Sequence, residues 1–341
     1  MIFGKISEKN RVIIGVVLFI AIFATLLALA SVFDLDVSKI LTQDALKDGE
    51  YLASDTFGVA FEIFGSSPVY LIAGVCVVIL FWCVLRFLKL RPLREILAVI
   101  LLAGAVLAFW FFFHDMFNYI SEHAGTEDTY LDGAMTLVAV LSSFLATTAV
   151  VFAFRGVKDE TLKKLVKFVI AFIIMAAVAN LIIAIVKVPA GRMRFRAMNS
   201  SGDVNFEGFT AWYVMNGKRT PTAEEMAMYG WASDAFKSFP SGHTCAAGMS
   251  YALIMLPDVL KTKKKWLRAI CWIFPVAFTG VVAVSRIVVG AHFFSDVLFG
   301  GTIAFLGMML AREICVCKFC HFKCFGKNYV PAVEEDDETE E

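Results

Sequence analysis

Residues 165–196 read LVKFVIAFIIMAAVANLIIAIVKVPAGRMRFR, and the fold turns on this stretch. From 165 to 187 the chain is apolar apart from Lys167, Asn180 and the closing Lys187, and a helix needs about 20 such residues to cross the hydrocarbon core. Lys187, Arg192, Arg194 and Arg196 then follow within ten residues. A membrane helix that ends in a cationic cluster raises two questions: how many such helices there are, and what the cations hold.

Working outward, seven further apolar runs occur, at 11–33, 67–88, 96–116, 133–154, 241–259, 267–285 and 292–312. Eight spans predict an all-α, polytopic helical bundle. Composition agrees: 59% of the 341 residues are hydrophobic and 18% charged, against about 25% charged in a soluble domain. The formal net charge is zero, so no nucleic-acid partner is expected. The first run lacks a small-residue cleavage site and reads as a retained anchor.

Lys and Arg concentrate at 5–11, in the junctions at 86–94, 155–167 and 261–268, and at 312–327, while 117–132 contains neither. By the positive-inside rule both termini are cytoplasmic. The cations after 187 then lie on the other face, against the trend. Residues 34–66, with Val37, Ile40, Leu41 and Leu52, are read as an acidic outer loop holding a short helix on the membrane surface. The long outer segment 188–239 carries Phe206, Phe209, Trp212, Tyr213 and Trp231, aromatics suited to an interfacial cap. Cys76, Cys83, Cys245 and Cys271 read as packing residues. Cys315, Cys317, Cys320, His321 and Cys324 match no standard closed zinc spacing, palmitoylation is the other reading, and neither role is assigned. Residues 334–341, EEDDETEE, are expected to be disordered.

Three polar blocks fall at span ends on the outer side. In KVPAGRMRFR (187–196), guanidinium groups can bind phosphate oxygens in pairs, or snorkel toward lipid headgroups. In FPSGHT (239–244), Pro240 opens a helix, and the N–H groups of Ser241 and Gly242 are expected to be free at its positive end, beside His243. In SRIVVGAHFFSD (285–296), Gly290 permits a tight turn between Arg286 and His292. His292 and Asp296 are four apart, which predicts one helix face and a carboxylate that accepts the imidazole's second N–H.

Together the blocks resemble the signature motifs of the type 2 phosphatidic acid phosphatase family, which is related to the vanadium haloperoxidases: K-x6-RP, PSGH and SR-x5-H-x3-D. Lys187 and Arg194 have the first spacing, Pro240 to His243 form the second, and Ser285, Arg286, His292 and Asp296 match the third. Phe195 stands where the family has proline, and five spans precede the first motif rather than three. The resemblance implies a membrane lipid phosphatase with its active site on the extracytoplasmic face. His292 would be the nucleophile, oriented by Asp296, and His243 the general acid and base. Lys187, Arg194, Ser241, Gly242 and Arg286 would hold phosphate. Arg192 and Arg196 would either extend the clamp to a second phosphate or snorkel. Fixed cations would take the place of a metal, and no cofactor or obligate protein partner is expected.

The expected partners are membrane lipids and a lipid phosphate: a polyprenyl diphosphate such as undecaprenyl diphosphate, phosphatidic acid, phosphatidylglycerol phosphate or a lipid A phosphate. A bacterial plasma membrane is the expected location. The organisation implied is a tail at 1–10, N-terminal spans at 11–186, a catalytic membrane core at 187–312, and a tail at 313–341. A phosphotransferase could use the same residues. A transporter would spread its charges at mid-depth, whereas these cluster at one face.

Overall fold

The computed structural model describes residues 8–42, 56–124, 130–203 and 205–317. Its regular elements are all helical: α1 (Glu8–Leu41), α2 (Thr56–Gly65), α3 (Ser67–Phe87), α4 (Arg91–Ala124), α5 (Tyr130–Phe154), α6 (Asp159–Ala190), α7 (Phe195–Ser200), α8 (Ala223–Tyr229), α9 (Gly242–Gly248), α10 (Ala252–Val259), α11 (Lys265–Val288) and α12 (Phe294–Cys315). Cys320, His321, Cys324 and the acidic run lie outside the described residues, as does Leu52.

Among the described residues seven helices are long and apolar enough to cross a membrane. They present large apolar side chains outward, such as Ile22 at 60%, Leu145 at 72% and Ile273 at 67% exposure. A surface this apolar fits lipid as its solvent, and the chain is a polytopic helical bundle.

The expected sixth span, 241–259, differs. It forms α9, a 3₁₀ turn at Met249–Tyr251, and α10, rather than one uninterrupted helix. Met249, Ala252, Ile254 and Met255 are all buried there, in a core shared with Phe168, Phe172 and Met175 of α6 and Ala304 and Met308 of α12. Because protein surrounds this segment, its backbone can break without exposing polar groups to lipid.

Two expectations for 34–66 are corrected. α1 continues to Leu41, so residues 34–41 are its last turns rather than a loop. α2 does not lie free on a surface: Gly58, Glu62 and Gly65 are buried, and it packs on α11 and α4 and leads straight into α3. The segment after α6 folds back over one end of the bundle. Phe206 stacks on Phe195 at 5.3 Å, Phe209 meets Phe293 at 5.2 Å, and Trp212 meets Phe299 at 5.1 Å. The expected aromatic cap therefore covers the end where the three polar blocks lie.

α6 illustrates the local logic. Asp159 and Glu160 occupy its first turn and Lys187 its last, each sign placed to oppose the helix dipole. The helix stops at Gly191 in a left-handed conformation, and from there the chain turns into the first polar block.

Candidate active site

The turn between α11 and α12 carries His292. At the end of α11 the carbonyl of Arg286 accepts the N–H groups of Ala291 and His292, at 3.1 and 3.2 Å. Gly290, at φ +64°, lets the chain reverse. The six-residue spacing between the arginine and the histidine is thus the length of one helix-ending turn.

His292 Nδ1 lies 2.6 Å from the carbonyl oxygen of Ser238. A carbonyl only accepts, so Nδ1 carries the proton and Nε2 keeps its lone pair. Among the described residues nothing hydrogen-bonds Nε2. The expected contact to Asp296 is corrected: its Oδ2 is 3.7 Å from Nδ1, beyond hydrogen-bond length. The reason is that His292 precedes α12, whose N-cap is Phe293, so the four-residue spacing does not place the pair on one helical face. Asp296 instead accepts from the Phe293 N–H at 2.8 Å and from the Ser238 hydroxyl. It holds the loop that holds the histidine. Burial lowers the His292 pKa to about 4, the Asp296 carboxylate opposing this and the positive charges of Arg194 and Lys187 reinforcing it. The imidazole is neutral at pH 7.

The second block docks against the third. The Ser241 N–H is not free as expected, because it donates to the carbonyl of Asp296 at 2.9 Å. The Ser241 hydroxyl caps α9 by accepting the Thr244 N–H at 3.3 Å. Gly300 of α12 permits this approach, since a Cβ there would stand 2.4 Å from the Ser241 carbonyl oxygen. Lys187 Nζ lies 3.3 Å from where a Cβ of Gly242 would be, so the first and second blocks meet.

Each phosphate-binding guanidinium candidate faces a carboxylate that the sequence did not advertise. Arg194 pairs with Asp234 at 2.6 Å, while its buried Nε has no hydrogen-bond partner. Arg286, fully buried, pairs with Glu62 of α2 at 2.8 Å and donates to the Gly58 carbonyl at 2.6 Å. Arg196 is half-buried, 3.8 Å from Asp234. Burial alone would raise the Asp234 pKa, but Arg194 and Arg196 outweigh it, and the carboxyl stays below its ordinary value.

His243 sits beside this cluster, where burial first, and then Arg286, His292 and Arg194, hold its pKa well below the ordinary 6.5 against the opposing pull of Glu62, so the resting imidazole is neutral. Its Nε2 is 3.1 Å from the hydroxyl of Tyr119, on the end of α4 that continues past the apolar run 96–116.

Arg192 departs from both of its expected roles. It is 1% exposed, neither clamping a second phosphate nor snorkelling. Its Nη1 donates to Asp296 Oδ1 at 2.6 Å and its Nη2 to Asp34 Oδ2 of α1 at 2.8 Å. The rings of Phe293 and Phe209 lie 4.2 and 5.3 Å from its guanidinium carbon.

Phe195 begins α7. The first helical position tolerates proline because its N–H has no intrahelical partner, so the backbone here is of the kind the family's proline would favour. Instead the phenylalanine ring fills a buried cluster with Met198 and Phe293.

The arrangement brings two imidazoles, one of them with a lone pair exposed to the site, together with buried cations suited to oxygen anions. Residues 168–315, from within α6 to the end of α12, match the family model described as PAP2 superfamily. No curated protein and no solved structure matches the chain.

Proposed function

With a PAP2-superfamily segment at residues 168–315 as premise, we propose that this chain is a membrane phosphatase that hydrolyses a lipid phosphate through a phosphohistidine on His292. Phosphatase-type activity on phosphate esters follows from the superfamily. The observation that carries the finer reading is the Nδ1–H of His292 donated to the Ser238 carbonyl, which leaves Nε2 as the nucleophilic atom.

In the first step the Nε2 lone pair attacks phosphorus and the bond to the lipid oxygen breaks. His243, neutral in the empty site, takes up a proton together with the entering phosphate, whose charge opposes the burial, and as imidazolium gives it to the departing oxygen. The incoming phosphate and Glu62, both negative, stabilise that imidazolium. In the second step His243 takes a proton from water, the water oxygen attacks phosphorus, and the N–P bond breaks to release inorganic phosphate. Arg194, Arg286 and Lys187, with the backbone at Gly242, hold the equatorial oxygens as charge redistributes. The unpartnered Nε of Arg194 is a donor already in place for one of them. Ser241, whose hydroxyl and N–H are both engaged, shapes this site rather than binding phosphate.

The apolar exterior supports a lipid substrate, whose tail stays in the bilayer while its head enters the polar end. The basic junctions around 86–94, 155–167 and 261–268 adjoin the opposite ends of the helices that carry the site. By the positive-inside rule this favours an extracytoplasmic active site.

The test is phosphate release from a panel of lipid phosphates and diphosphates in detergent with EDTA, comparing wild type with His292→Ala. Release by wild type that withstands EDTA and disappears in the variant is expected. Release unaffected by the substitution would remove His292 as nucleophile.

A further inference from the structure

We propose that Asp34, on the N-terminal helix α1, is a positioning residue for the chemistry at His292, acting through Arg192 and Asp296; the inference rests on the phosphohistidine reading above.

α1 makes little use of the bundle for burial. The most apolar stretch of this helix has none of its residues buried. Its well-buried side chains fall at Ala30, Asp34 and Ser38, and Thr42 just past its end continues the row, each at most 3% exposed and four residues apart. That spacing is one helical stripe, and after Ala30 it is polar. A helix docked only for stability would present an apolar stripe; this one presents a carboxylate to the catalytic turn.

Asp34 closes a network that ends at the histidine. Its Oδ1 accepts the Ser295 N–H at 2.7 Å, and its Oδ2 accepts the Ser295 hydroxyl at 2.5 Å and Arg192 Nη2 at 2.8 Å. Ser295 neighbours Asp296 in the first turn of α12. Arg192 donates Nη1 to Ser295 Oγ at 2.8 Å and to Asp296 Oδ1 at 2.6 Å, and its Nε to the Thr210 carbonyl at 2.8 Å. With all three nitrogens of Arg192 engaged, the guanidinium has one orientation, and Asp34 sets it from one side. Asp296 in turn accepts the hydroxyl of Ser238, whose carbonyl fixes the His292 tautomer. Attack by Nε2 puts positive charge on the imidazole, and a second carboxylate behind Arg192 keeps that arginine from fully neutralising Asp296. Removing Asp34 would leave Arg192 wholly to Asp296, neutralising it, and would free the turn to shift.

The substitution Asp34→Asn tests this, because it keeps the shape and one acceptor for the Ser295 N–H. A shift of about 1 Å caused by a mutation away from the chemistry costs up to about 100-fold in rate. The expected result is a kcat loss in that range with KM within about twofold of wild type, measured on the lipid phosphate the wild type hydrolyses best. Asp36→Asn, an exposed neighbour on α1, is expected to leave kcat unchanged. Combined with Arg192→Gln, Asp34→Asn should add no further loss, since residues acting through one path are not additive.

Should Asp34→Asn fail to fold, Ser295→Ala, which deletes the hydroxyl that bridges Asp34 and Arg192 and changes no charge, is expected to fold and to lose kcat. Wild-type kcat in a folded Asp34→Asn or in Ser295→Ala, or losses that multiply in the double variant, would overturn the proposal. If wild type releases no phosphate, or His292→Ala releases it equally, the phosphohistidine reading falls and takes this inference with it. If those controls behave and Asp34→Asn is fully active, the inference alone falls.

Discussion

The side chain of His292 is held by the main chain of Ser238, with Nδ1 2.6 Å from the carbonyl oxygen, while Asp296 stands 3.7 Å away. The carboxylate expected to touch the histidine touches the loop around it instead. Asp296 therefore acts on the geometry of the site through Ser238, Phe293 and Arg192.

That arrangement makes Asp296→Asn costly in two ways. It removes the charge that pairs with buried Arg192 and substitutes a donor on one side of a group that now only accepts. Breaking a buried ion pair from one side costs about 3–5 kcal/mol. Asp296→Asn is expected to lower the detergent unfolding midpoint more than His292→Ala, and to abolish phosphate release as well. An unfolding midpoint equal to wild type would contradict the network described for Arg192.

The pKa of His292 gives a pH signature with a definite sign. Its folded value, about 4, lies below the ordinary 6.5, so the unfolded chain binds more protons between the two. Its contribution to stability is complete above pH 6.5 and is lost as pH falls toward 4. A shift of this size corresponds to about 3 kcal/mol. Acid unfolding of wild type over this window should be steeper than that of His292→Gln, and kcat/KM should hold its nucleophile limb down to low pH. Identical acid unfolding curves would show that His292 is not held neutral.

Tyr119 is the one side chain hydrogen-bonded to His243 Nε2 among the described residues, at 3.1 Å. Tyr119→Phe keeps the ring, which meets the imidazole edge to face, and removes the hydroxyl. Loss of a neutral hydrogen bond costs about 1 kcal/mol in stability, so folding should survive. The expected effect is a kcat fall of about 10-fold with KM little changed. Unchanged kcat would mean that the hydroxyl neither positions His243 nor assists the leaving oxygen.

Gly300→Ala tests the docking of the second block on the third. The added methyl carbon would stand 2.4 Å from the Ser241 carbonyl oxygen, which is main chain and has little room to yield. Overpacking of this kind costs about 1–3 kcal/mol. Activity should fall along with the unfolding midpoint, whereas Gly301→Ala, with its nearest contacts at 3.7 Å, should be tolerated. Equal behaviour of the two variants would sink this account of how α9 meets α12.

Much of the bundle was written in the sequence. A helix in lipid must satisfy its own backbone and show apolar side chains outward, so a run such as 165–187 can be read as a span without knowing its neighbours. The spacings that link Lys187 to Arg194 and Arg286 to His292 are likewise local: one covers the end of α6, the other a single helix-ending turn. Residues 241–259 were harder, because their apolar run describes burial inside protein as well as it describes lipid contact, and only packing decided that the helix breaks.

Tertiary structure alone decided the partners. Arg192 looks like Arg194 and Arg196 in sequence, yet it is buried in a network while Arg194 keeps a donor open. Asp34, Glu62 and Tyr119 lie far along the chain from Arg192, Arg286 and His243, on helices whose sequence gives no sign of contact with the site. Local patterning reflects each residue's own solvent and dihedral preferences. Which carboxylate meets which cation depends on where separate helices come to rest, and that is set by the sum of their packing.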